Sequence, residues 1–217
     1  MKWGRGALFG AAAWLAAMAA SGPCASRASD IDAGPVFRAL QAHRVVSAPW
    51  PDPPSRQAAL SAIKGVLSDP ALVSVRETLQ AGRFDAAAQQ LQALAPLDQP
   101  HAFERLRQAG ALAFFVNPQR AIDAYEAAAA NRPGDRWVRV WLAQLYGAAG
   151  KPSLALACAR AALKSTGDTA TVAAALDELG DALASRGWLA EARDAYKREL
   201  ALRRALLARS PDDMDRR

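Results

Sequence analysis

Residues 142–162 read Leu142-Ala143-Gln144-Leu145-Tyr146-Gly147-Ala148-Ala149-Gly150-Lys151-Pro152-Ser153-Leu154-Ala155-Leu156-Ala157-Cys158-Ala159-Arg160-Ala161-Ala162. A run of strong helix formers halts at Gly150, and a second run starts at Pro152. Glycine is favoured just past a helix end because it enters the left-handed region freely, and proline is tolerated in a first helical turn. The stretch reads as two helices joined by a tight turn. It also recurs. Gly82, Val116, Gly150 and Gly187 stand at intervals of 34, 34 and 37 residues, and five residues after each comes Ala87, Ala121, Ala155 and Ala192. A fixed period of this size marks helical arrays, in which each helix pair buries its apolar face against the next.

Composition agrees. The hydrophobic fraction of 52% in 217 residues comes mainly from Ala and Leu. With Arg, Glu and Gln these are strong helix formers, and strand-like alternation is missing, so the fold class is all-α. The net charge of +6 includes Lys2, Arg5 and Arg27, the only charged residues before Ser29. The rest of the chain is therefore at +3. No basic run exceeds two residues and no aromatics interleave with one, which argues against a nucleic-acid surface.

The start of the chain resembles an export signal. Met1-Lys2-Trp3-Gly4-Arg5 is positive, Ala7 to Ala20 is apolar, and Ala17-Met18-Ala19 or Ser26-Arg27-Ala28 supplies small residues for cleavage. The run is short and Ala-rich for a membrane span. An uncleaved anchor is the competing reading, and membrane contact is expected only through it. A lipid-bearing Cys24 is disfavoured by Pro23 directly before it. These features place the protein in the periplasm or outside the cell. With the signal (1–28) removed, Cys158 is the single remaining thiol, expected to act as a small apolar packing residue.

Residues 29–54 form an irregular tail with a short helix at 35–44. Pro49, Pro51, Pro53 and Pro54 around Trp50 imply an extended path from Ser47 to Pro54. A leading helix covers 55–67. Asp69-Pro70 is an N-cap followed by a first-turn proline. Four units follow at 68–101, 102–135, 136–169 and 173–209, and residues 210–217 read as a disordered C-terminus.

With the glycine-type turn at position 15 and the alanine at position 20, unit three places Leu142-Ala143, Tyr146, Gly150, Ala155, Ala159 and Ala162 at positions 7, 8, 11, 15, 20, 24 and 27. Unit two supplies Ala109, Leu112, Ala121, Tyr125, Ala128 and Pro133, and unit four Leu179-Gly180, Leu183, Gly187, Ala192 and Tyr196. Unit one keeps Gly82, Ala87 and Leu91 but has Thr78 where a bulky residue is expected. This pattern resembles the tetratricopeptide repeat family over about residues 68–209. The resemblance implies a right-handed α-solenoid of stacked helix–turn–helix units. Asn117-Pro118 departs from the glycine turn of unit two, and three extra residues lie between units three and four.

In that family the first helices of successive units line a concave groove. The resemblance implies that positions 2, 5, 9, 12 and 13 face it, which includes Arg76, Gln80, Phe103, Leu106, Phe114, Trp137, Val140, Gln144, Asp177, Asp181 and Ser185. Such a groove is apolar in the middle, with an arginine at one end and aspartates at the other. Phe103 and Trp137 have a competing role as packing between units, and Trp141 reads as structural. The family's carboxylate-clamp residues are missing at positions 5 and 9, where Leu72 and Arg76, Leu106 and Gly110, and Val140 and Gln144 stand. The apolar groove suits a protein segment. One candidate occupant is the chain's own tail, through Phe37, Leu40 and Trp50.

No catalytic constellation, metal-ligand spacing or phosphate loop is legible. His43 and His101 lie far apart in sequence, and the glycines fall singly. Asp177 and Asp181, one helical turn apart, repel by a few tenths of a kcal/mol. That spacing implies a cationic contact, either an arginine nearby or a ligand. The reading is a non-enzymatic adaptor of the cell envelope that needs no cofactor or metal and binds a protein segment in the groove. The alternative is a structural subunit of an envelope or secretion assembly, using its convex face or its last helix.

Overall fold

The structure is a computed structural model that describes residues 32–46, 48, 53–164 and 168–209. The expected signal and Cys24, Trp50 and its neighbouring residues, residues 165–167, and the C-terminus from 210 lie outside these residues. The chain divides after Asp32, and the helical array belongs to the unit Ala33–Arg217.

Among the described residues the secondary structure is helical throughout. The α-helices are α1 (Gly34–Ala42), α2 (Pro53–Ser68), α3 (Val73–Gln80), α4 (Phe84–Leu94), α5 (Ala102–Val116), α6 (Pro118–Asn131), α7 (Arg136–Ala148), α8 (Pro152–Lys164), α9 (Thr169–Ala184) and α10 (Leu189–Arg209). Single 3-10 turns, Pro70–Leu72 and Gln99–His101, lead into α3 and α5. From α3 onward each helix packs on the next, so α3 and α4, α5 and α6, α7 and α8, and α9 and α10 form neighbouring pairs.

The turns within these pairs obey one rule. Gly82, Gly150 and Gly187 have φ of 72°, 68° and 78°, the left-handed region where a side chain is strained. The next residue donates its N–H back across the turn, Arg83 to Thr78, Lys151 to Tyr146 and Trp188 to Leu183. This is the Schellman closure that satisfies orphaned carbonyls at a helix end. Unit two breaks differently. There the Asn117 side chain accepts from the Arg120 N–H at 3.1 Å, and Pro118 occupies the first turn of α6. Asp69, Asp135 and Asp168 cap the 3-10 turn before α3, α7 and α9 in the same manner.

Two expectations about the tail change. α2 begins at Pro53, so Pro53 and Pro54 sit in its first turn instead of ending an extended segment. A first-turn residue needs no N–H donor, and proline supplies the helical φ. The short helix runs over Gly34–Ala42. Near the insertion, α9 starts at Thr169, so Thr169–Val172 form an added turn ahead of unit four.

The core centres on α5. Twelve of its fifteen residues are buried, and it packs against α1, α2, α4 and α6. Its second half, Gly110-Ala111-Leu112-Ala113-Phe114-Phe115-Val116, is apolar at every position, so every face needs cover. Gly110 permits one close approach. A Cβ there would lie 2.5 Å from the Tyr125 ring on α6. Gly180 on α9 stands in the same relation to the Tyr196 ring on α10.

Candidate protein-binding surface

Apolar segments hide from water first, and that decides much of the expected groove. α2 packs on α5 more than on α3, and its buried face is Ala58, Ala59, Ala62, Ile63, Val66 and Leu67. At its other end the Ser55 hydroxyl donates to the Gln144 side-chain oxygen on α7 at 3.3 Å. α1 adds Phe37, whose ring meets Phe115 edge-on at 6.1 Å, and a fully buried Leu40. Just past α1 the Val45 N–H donates to the Phe115 carbonyl at 2.9 Å. The chain therefore covers its own α5 with α1 and α2.

The groove residues separate accordingly. Phe114 is 1% exposed and forms an edge contact with Phe115. Leu106 and Phe103 are buried, the latter beneath the Arg132 guanidinium at 4.3 Å from its ring centre. Val140 is buried in a cluster with Ala162, Ala174 and Ala175 that joins α7, α8 and α9. These four are core residues here, because large apolar side chains at a helix–helix seam are stabilised most by burial.

The remaining candidates are accessible to different degrees. Trp137 is half-buried, stacked on Trp141 at 5.8 Å, and leans on the Val140 cluster. Trp141 stacks in turn on Tyr125 at 5.2 Å, consistent with a structural role. Gln144 and Arg76 are half-buried. Asp177 pairs with Arg203 at 3.0 Å, and Asp181 accepts the Tyr196 hydroxyl at 2.6 Å. The cationic contact implied by these two aspartates is thus supplied by α10. Burial and the bond to Asp181 together raise the Tyr196 phenol, so it stays a neutral donor.

Sequence reasoning missed three other arrangements. Arg105, only 5% exposed, is clamped by Asp69 at 2.7 Å and Asp98 at 3.1 Å, which ties α5 to the start of unit one and the loop before itself. Burial by itself would raise the Asp69 carboxyl, but the Ala71 N–H and the Arg105 guanidinium outweigh it and hold it low. The His101 ring and Arg105 hold Asp98 low as well. Second, Arg120 on α6 pairs with Asp85 on α4 at 2.7 Å, linking successive second helices. Third, Tyr146 donates to Glu126 beside a depression of about 320 Å³ lined also by Arg139 and Cys158. Burial pushes the Cys158 thiol up, against the opposing pull of Arg139, which favours the neutral thiol.

Among the described residues no group of three or more His, Cys, Asp or Glu side chains is arranged to hold a metal ion. Nor is any single described helix long and apolar enough to cross a membrane. The surface keeps half-buried aromatic area at Trp137 and the carboxylates of Asp177 and Asp181. In comparison with known proteins, no family model and no curated protein matches this sequence.

Proposed function

We propose that this chain is a non-enzymatic protein-interaction scaffold of the cell envelope, built as a right-handed solenoid of tetratricopeptide-type units. The repeated glycine turns, with the same backbone closure at Gly82, Gly150 and Gly187, support that architecture. It binds a protein segment along the part of the first-helix face that α1 and α2 leave open, from Trp137 on α7 to Asp177 and Asp181 on α9.

One observation carries this reading. The first-helix face is closed over α5 by α1 and α2, whereas Trp137 and the two aspartates keep solvent access. A half-buried indole is the kind of anchor that concentrates binding energy.

The test is affinity capture from envelope extracts with wild type and Trp137→Ala, both verified as helical by circular dichroism. A protein held by wild type and lost by the variant is the expected result. Identical captures would sink the assignment of this face. Export is checked separately by the mass of the mature chain, expected to begin after Ala19 or near Ala28. A turnover abolished by changing Asp177 or Asp181 would overturn the non-enzymatic reading.

A further inference from the structure

We infer that the outward face of α10 docks an amphipathic helix of a partner protein that carries aspartate or glutamate beside its apolar stripe. This face is independent of the groove, since it lies on a second helix.

Register singles it out. In units one to three the second helix is covered by the first helix of the next unit, α4 by α5, α6 by α7 and α8 by α9. One residue after the repeat-phase alanine, Ala88, Ile122 and Leu156 are buried, whereas the equivalent Arg193 is exposed. Eight residues after it, Ala95 and Ala129 are buried and Leu163 partly so, whereas Leu200 is 47% exposed. Three residues before it, Phe84 is buried and Leu189 is 68% exposed. Arg193 and Leu200 therefore repeat, in unit four, positions that are buried or partly buried in every other unit, and Leu189 and the half-buried Tyr196 lie on the same side of α10. They follow one another at steps of four, three and four, the spacing of a single helix face. With Ala184 and Lys197 they line a depression of about 320 Å³.

Charge selects the occupant. The cationic Arg193 and Lys197 lie exposed beside the apolar Leu189, Tyr196 and Leu200, and Arg204 lies exposed one turn beyond Leu200. Another basic helix would be repelled, and an acidic one attracted. α10 already shows this preference on its other side. α9, which packs there, carries only acidic charges, Asp177, Glu178 and Asp181, and Arg203 holds Asp177. The outward face offers the same recognition to a helix supplied from elsewhere.

The probe is a labelled synthetic helix with leucine along one face and glutamate on both flanks, compared by fluorescence anisotropy with a lysine-flanked twin. Wild type should bind the glutamate peptide at least about tenfold more tightly, and Leu200→Asp should weaken that binding by about tenfold or more. Arg193→Glu combined with Lys197→Glu should transfer the preference to the lysine peptide. Because these side chains are exposed, the variants should keep wild-type helicity. If Leu200→Asp loses it, the charge exchange alone decides. Equal affinity for both peptides, or binding indifferent to Leu200→Asp, would overturn the proposal. So would a wild-type dimer in sedimentation that Leu200→Asp dissolves, since a second copy would then own the face. Trp137→Ala should leave peptide binding unchanged, which keeps this test separate from that of the groove.

Discussion

α5 and α10 occupy opposite extremes of the same architecture. α5 is enclosed by four helices and has even its Arg105 and Gln108 buried, whereas α10 rests on α9 and keeps Leu189, Leu200 and Leu207 in water. Both belong to helix pairs built around similar Gly–Tyr contacts. A repeat's internal geometry therefore says little about how much of it is covered. Coverage comes from the helices on either side of each pair, and among the described residues α1 and α2 supply it on the N-terminal side.

The comparison would break most visibly at Phe114. As a core residue, Phe114→Ala should cost about 3–5 kcal/mol in urea unfolding. If it were a groove residue, the loss would fall on partner binding and stability would hold. Next comes Arg105→Ala, which strands Asp69 and removes the tie between α5 and unit one. A loss of about 2–3 kcal/mol is expected, at or below the low end for a broken buried pair because both carboxylates are partly hydrated.

The two close Gly–Tyr contacts sharpen the comparison further. Tyr125 is buried and stacked on Trp141, so Gly110→Ala forces a ring that has nowhere to go, and about 1–3 kcal/mol should be lost. Tyr196 is half-exposed with its hydroxyl on a surface aspartate, so its ring can swing aside. The helix propensity gained, about 1 kcal/mol, is the same at both sites, so Gly180→Ala should cost less than Gly110→Ala because its displaced ring is free to move. Equal costs would mean that the α9–α10 end is packed as tightly as the centre.

The smallest effects concern charge. Asp69, Asp98 and Asp168 are all held below the ordinary value of 3.8, the last chiefly by the Thr171 N–H and hydroxyl. A carboxyl that titrates lower in the folded state contributes stability above its unfolded value and loses it as pH falls through the folded one. Stability should therefore decline below about pH 4. Asp168→Asn should flatten that decline at the α9 end while leaving the Arg105 clamp to titrate, as urea midpoints at about pH 7 and about pH 3 would reveal. Arg203→Ala, at an exposed pair, should change stability by about 0.2–1 kcal/mol.

Several of these features are legible in residues alone. The glycine phase marks the positive-φ turns, and Asp69-Pro70 marks a cap. The seven-residue apolar run ending α5 announces a helix that must be covered on every side, a signal that weighs against reading Phe114 as a ligand contact. The partners of that run are not legible. Nothing in the spacing of Pro53-Pro54 or Phe37 says that α1 and α2 fold back onto α5, because such contacts join residues distant in sequence and depend on which apolar surfaces meet. Asp177 and Asp181 illustrate the same limit. Their repulsion implies a cation, but only packing could choose between a ligand and Arg203.

By itself, then, the sequence determined the all-helical class, the pairing of helices at a 34-residue period and the turn chemistry, since these rest on local φ preferences, capping and apolar periodicity. The tertiary structure alone decided which first helix is sealed by the chain's own tail, which aromatic residues are core, and which second helix ends uncovered. Burial is a property of neighbours, and neighbours in space are set by the sum of many weak apolar contacts that no single segment encodes.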